Sequence, residues 1–349
     1  MLPSTAANQN VSQNTTSYLK DTDLGEPHTS EDHGISFYVY YYGMFCIITC
    51  INIPGNTMVI RAVIKNPHLH KPCNIYIVSL AVTDLLIGVI YPLYNVAHLE
   101  HVPEVSRALG QWSVCRFLVS EVLALGIICS YHLVAITVTR YVAILYPLRY
   151  HLYVTTKSTK YTIFSIWVLS HCTCILMYTL YNPEKYISRP VVCRYELIFS
   201  ITHVIMFLII QLFLPLLIML PLYARIVRIA RNQAKAIALQ DRVLGNKSDR
   251  SSYAFNFIRR QELKSTVMVS VLLGFYIIGW TPMIILFFYE ITCVKKCVQS
   301  PFIRATCRIL LYMNSAVNVF IYAGRLPEFR KSIQNDITKL QKYFCFCRK

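Results

Sequence analysis

Charge is scarce in this chain. Asp, Glu, Lys and Arg make up only 15% of its 349 residues, against about 25% in an ordinary soluble domain. Acid is scarcer than base: 17 acidic residues stand against 34 basic ones. Also missing is a basic start followed by an apolar core, the mark of a cleavable signal peptide. The first 36 residues are polar and end in Asp21, Asp23, Glu26, Glu31 and Asp32, so the first apolar run is expected to direct targeting itself. No His-Glu-x-x-His, no Gly-x-Ser-x-Gly and no pair of aspartates within an apolar run is present, so no catalysis and no cofactor are expected. No repeat relates the first three apolar runs to the next three, which disfavours a secondary transporter. The thirteen cysteines are too scattered for a disulfide scaffold.

What the chain does have is length of apolar sequence. Hydrophobic residues make up 55% of it, and a bilayer core takes about 20 of them per helix. Seven runs qualify, at roughly 37–64, 75–97, 114–138, 162–181, 197–222, 266–289 and 302–323. The expected fold is therefore an all-α membrane protein: a seven-transmembrane helix bundle over 37–323, a polar tail over 1–36, and a short amphipathic helix and tail over 324–349. Twenty-four of the 34 basic residues fall in 61–74, 140–160, 225–264 and 325–349. That side is expected to be cytoplasmic and the N-terminus extracellular, in the plasma membrane. The excess of base is this topology signal and implies no nucleic acid. Asn10-Val11-Ser12 and Asn14-Thr15-Thr16 are glycosylation sequons on the outer side. Cys345 and Cys347 lie among Phe344, Phe346, Arg348 and Lys349, a basic, aromatic setting that suits palmitoylation or leaves plain thiols.

Polar groups at membrane depth each need a reason. Asp84 lies inside the second run, where nothing local neutralises it. It is expected to face the interior and meet Asn56, Asn314, Ser315 and Asn318. Such a cluster can hold a proton, a small cation or water. Arg140 closes the third run in Thr139-Arg140-Tyr141. It either reaches the lipid headgroups or pairs with Glu262 at the start of the sixth run, tying two inner helix ends together. Pro92, Pro215, Pro221 and Pro282 interrupt apolar runs; each kinks its helix and frees a carbonyl. Trp280 stands two residues before Pro282, where its ring either fills the core or drives the kink.

These residues fall in an order that resembles the rhodopsin-like G protein-coupled receptors. Gly55-Asn56, Leu80-x-x-x-Asp84, Trp112 and Cys115, Thr139-Arg140-Tyr141, Pro147, Trp167, Pro215 with Tyr223, Gly279-Trp280-Thr281-Pro282 and Asn318-Val319-Phe320-Ile321-Tyr322 occur one after another along all seven runs. Leu326-Pro327-Glu328-Phe329-Arg330-Lys331 then resembles the start of the family's amphipathic helix. The resemblance implies an extracellular ligand, a heterotrimeric G protein as partner, and a switch made of Asp84, Arg140, Glu262, Tyr223, Trp280, Pro282, Asn318 and Tyr322. It places Cys115 opposite Cys193 as a disulfide. Cys293 and Cys297 are either a second, local pair or free thiols. Four departures stand out: Thr139 replaces the acid before the arginine, Cys129 the serine of a sodium site, Val319 a proline, and Tyr276 a phenylalanine. They imply an atypical switch, with either raised basal activity or weak signalling. A thiol is a poor sodium ligand, so any sodium site at Asp84 is weak and activity is expected to follow pH more than sodium.

The resemblance also limits the ligand. Val122 stands where amine receptors carry an aspartate, and Tyr312 where opsins carry the retinal lysine; monoamines and retinal are disfavoured. The implied lining is Leu118, Glu121, Val122, Gly126, Phe207, Gln211, Trp280, Met283, Ile284, Phe287, Arg308 and Tyr312. A small ligand, acidic or apolar, suits that set. Arg308 either receives an acid in two hydrogen bonds, pairs with Glu121, or reaches the outer surface. An odorant-type chemosensory receptor of the same fold is the alternative, on His68-Leu69-His70 and Leu148-Arg149-Tyr150.

Overall fold

A computed structural model describes residues 34–96, 112–180, 201–244, 250–292 and 300–325, with 330, 331, 334, 335 and 338 beyond them. Seven long helices account for almost all of these residues. We number them α1 (Ile35–Lys65), α2 (Pro72–Val96), α3 (Trp112–Leu145), α4 (Thr156–Leu180), α5, α6 (Arg250–Thr292) and α7 (Pro301–Arg325). Helix α5 is continuous but not uniform: Ile201–Leu208 is α-helical, Ile209–Phe213 is a π-turn, and Leu214–Leu244 is α-helical again. Short turns occupy Pro67–Leu69 and Tyr150–Tyr153. The expected C-terminal amphipathic helix lies for the most part outside the described residues.

By length and composition six of the seven, α1 to α6, can cross a bilayer. Helix α7 has the length but a lower mean hydropathy, because it carries Arg304, Arg308, Asn314, Ser315 and Asn318. Its place in the bundle resolves the discrepancy. It packs against α1, α2 and α6, and Ser315, Ala316, Val319 and Tyr322 are all buried. The polar content that lowers its hydropathy serves the interior.

The distribution of side chains is inverted relative to a soluble fold. Phe164, Leu169, Ile278, Ile285 and Phe320 are all more than 60% exposed, whereas Asn52, Asn56, Asp84, Asn95, Ser130, His132 and Gln211 are essentially inaccessible. Apolar groups outside and amides inside are what a hydrocarbon solvent selects. Helix α3 is the hub, in contact with α2, α4, α5 and α6. Two apolar cores stack along the bundle. One gathers Leu80, Ile136, Met219, Leu272, Val319 and Tyr322; the other gathers Tyr41, Phe45, Tyr91, Cys115 and Tyr312. Trp280 packs against both.

The prolines explain much of the cross-linking. Pro92 has no N–H to give Gly88, four residues back, and the Gly88 carbonyl accepts a hydrogen bond from Tyr312 of α7 at 3.4 Å. Within α5 the π-turn pairs Leu214 N–H with Ile209 O. Pro215 has no N–H to give either Ile210 or Gln211. Tyr131 of α3 donates to Ile210 O at 3.2 Å, and Tyr276 of α6 donates to Gln211 O at 2.8 Å. Kinked helices are thereby tied to neighbours by phenolic hydroxyls.

Candidate functional site

A cavity of about 200 Å³ runs between α2, α3, α5, α6 and α7. Its walls include Ile87, Val122, Phe207, Trp280, Met283, Ile284, Phe287 and Tyr312. Asp84, Asn314, Ser315 and Asn318 line it as well, and so do Arg308, Gly126 and Gln211. Ten of the twelve residues expected to surround a ligand thus share one space.

Leu118 and Glu121 do not line it. Leu118 is buried instead in the core that gathers Tyr41, Phe45 and Tyr91. Glu121 is turned toward α4, where its carboxylate lies 3.5 Å from Nε2 of His171. Successive helix positions differ by about 100°, so Glu121 and Val122 look in different directions and only Val122 faces inward. The His171 ring is fixed from behind, with Nδ1 2.9 Å from the Trp167 carbonyl and the ring stacked on that indole. Arg308 hydrogen-bonds Tyr41 of α1, and Tyr41 in turn donates to Asn95 of α2.

Asp84 is almost wholly inaccessible. Asn318 donates to one carboxylate oxygen at 2.8 Å, Ser315 also hydrogen-bonds the carboxyl, and the Cys129 thiol lies 3.9 Å from the other oxygen. Asn56 does not meet the carboxylate. It bonds Asn52, which donates to the Asp84 backbone carbonyl at 2.8 Å. Asn314 turns away too, toward Gly279 of α6, where an added Cβ would fall 2.1 Å from its Nδ2. The donor set fits a sodium ion poorly: hydroxyl and carboxylate oxygens are present, but sulfur occupies the α3 position.

Near the C-terminal end of α3, Arg140 reaches Sγ of Cys73 on α2 at 2.5 Å. The side chain of Glu262 lies outside the described residues, so the expected Arg140–Glu262 pair does too. Tyr223 of α5 donates to Ser270 of α6, and Tyr322 is fully buried. Tyr276, in place of the family's phenylalanine, joins Ser130 of α3 at 2.9 Å besides the Gln211 carbonyl. The sequence shows Tyr276 as a departure from the family but not its partners, Ser130 and the Gln211 carbonyl, which come from other helices. Cys115 is disulfide-bonded, while Cys193, Cys293, Cys297, Cys345, Cys347, Asn10 and Asn14 lie outside the described residues.

Seven helices around a cavity that continues into a buried carboxylate define a membrane receptor. Residues 55–322 match the model of the 7 transmembrane receptor (rhodopsin family), and the chain belongs to that family. It is a G protein-coupled receptor for an extracellular ligand. Melanocortin receptor 5 of Pan troglodytes is 30% identical over 322 residues, covering 88% of this chain and 85% of the relative. The Rattus norvegicus protein of that name is 29% identical over 320 residues, with the same coverage. Adenosine receptor A2a of Equus caballus is 28% identical over 317 residues, covering 85% of this chain and 73% of the relative.

Proposed function

We propose that this receptor binds a small molecule in the cavity between α3, α5, α6 and α7 and passes the event inward through Asp84 and Trp280 to its G protein. One observation carries the reading: the same cavity is lined by Phe287 and Arg308 and by Asp84 and Asn318. A ligand in contact with the walls is one step from the polar core and from Trp280, which touches both apolar clusters. The names of the relatives point to different ligands, melanocortin and adenosine, so neither is carried over. Val122 still argues against an amine and Tyr312 against retinal.

The reading includes an extracellular N-terminus over 1–36, glycans on Asn10 and Asn14, a Cys115–Cys193 disulfide, a membrane domain over 37–323, and a cytoplasmic segment over 324–349 with Cys345 and Cys347 as lipid acceptors. Intact-mass and peptide mapping of the protein from cultured animal cells checks these modifications.

The decisive experiment screens small molecules for stimulated nucleotide exchange across several G proteins. The active compound is then tested on Val122→Trp, which fills the cavity. Loss of response with normal surface expression is expected. An agonist whose potency is unchanged by Val122→Trp would show that the ligand binds elsewhere.

A further inference from the structure

Two amides stand out because no hydrogen-bond partner for them is found among the described residues. Gln211 is wholly inaccessible, yet neither Nε2 nor Oε1 of its side chain has a hydrogen-bond partner. Asn314 is only half-buried, but its Nδ2 likewise has no partner among the described residues. Both residues line the cavity. Leaving such groups dry is costly, and buried amides are normally paired.

Their placement is specified rather than incidental. Each amide occupies space that exists only because the facing helix carries glycine. A Cβ on Gly126 of α3 would stand 2.7 Å from Gln211 Nε2, and a Cβ on Gly279 of α6 would stand 2.1 Å from Asn314 Nδ2. The backbone of Gln211 is held by Tyr276. The glycines admit the amides, and the rest of the wall is apolar and aromatic.

We propose that Gln211 forms a recognition subsite for a neutral amide group on the ligand, a primary amide or a cyclic lactam. The chemistry is a count of donors and acceptors. The Gln211 side chain offers two N–H donors on Nε2 and one acceptor, Oε1. An amide carbonyl has two lone pairs to receive the donors, and its N–H can serve the acceptor. A carboxylate satisfies the donors and leaves Oε1 unpaired. An ammonium serves Oε1 and leaves the donors unpaired. This inference rests on the small-molecule reading of the cavity and names what that cavity selects.

The test uses purified full-length receptor in lipid nanodiscs and three probes of one shape: benzamide, benzoate and benzylamine. Saturation-transfer NMR reads binding, and thermal unfolding reads stability. Benzamide is expected to bind with a dissociation constant on the order of millimolar, as suits a fragment of its size, and the two charged probes at least about tenfold more weakly. Gln211→Met keeps the length of the side chain and removes its polarity. It is expected to raise the melting temperature without probe, because an unpaired amide has been removed, and to weaken benzamide about tenfold.

Benzoate or benzylamine binding as well as benzamide overturns the proposal. So does benzamide binding unchanged in Gln211→Met. A Gln211→Met protein that melts lower or fails to fold also overturns it, since Gln211 would then be a structural, water-bonded group. Coupling to a G protein does not enter the assay. If the wild type ignores benzamide while an agonist found independently is lost in Val122→Trp, the cavity reading stands and the amide subsite alone falls.

Discussion

Cys129 is the residue through which the polar core departs most from its family. Its thiol stands 3.9 Å from Asp84, where an oxygen would better suit a hard cation. Cys129→Ser is expected to give a receptor whose melting temperature is higher in sodium chloride than in choline chloride at equal ionic strength, with the wild type nearly indifferent. Strong sodium dependence in the wild type, unaltered by serine, would remove the argument. Gly55 offers a second test. An added Cβ there meets Val319 Cγ2 at 2.8 Å, and valine, branched at Cβ, has little room to turn aside. Gly55→Ala should cost about 1–3 kcal/mol by overpacking, read as a lowered unfolding midpoint. The sequence made Asp84 and its Asn318 and Ser315 partners legible, because a charge in an apolar run has to turn inward. It did not reveal that Glu121 turns to His171, since the rotation of α3 is set by the helices packed round it. Nor did it reveal that Asn314 lies over Gly279: a missing side chain becomes informative only when its neighbour across the helix pair is known.

At the scale of helices, the recurrent device is a proline whose freed carbonyl is taken by a tyrosine of another helix. Gly88, Ile210 and Gln211 are served in this way by Tyr312, Tyr131 and Tyr276. The prolines were evident in the sequence; their tyrosine partners were not, because those pairings lie 65 to 224 residues apart along the chain. Tyr276→Phe restores the family's residue and keeps the ring, so it isolates the hydroxyl. It should lower stability by about 0.5–2 kcal/mol, the range of interhelical hydrogen bonds in membranes. Ser130→Ala in the Tyr276→Phe background should cost less than in the wild type, since Ser130 will already have lost its partner. Additive losses in a double-mutant cycle would mean that the junction does not act as a unit. Between α3 and α4, Glu121 and His171 form a partly exposed contact, and Glu121→Gln is expected to change stability by under about 1 kcal/mol.

For the whole molecule, composition alone indicated the membrane, and six helices meet the length and hydropathy of a span. The seventh, read in the sequence at 302–323, falls short of that hydropathy because its polar residues are there for the interior. The inner-end lock remains a proposal. Glu262→Ala should raise basal nucleotide exchange several-fold at most, because an exposed ion pair is worth under about 1 kcal/mol and Thr139 gives Arg140 no competing charge. Unchanged basal exchange in a variant that reaches the surface would remove Glu262 from the switch. The length of α6 has a mechanical consequence. The helix runs from Arg250 to Thr292 without a break, with its one proline at position 282. At about 1.5 Å per residue, the arm below Pro282 is roughly 48 Å long, and a swing of about 5° at the proline carries its far end about 4 Å. A bend at Pro282 has unequal arms: a tilt too small to disturb the packing around Trp280 becomes, at the Arg250 end, a gap as wide as a side chain.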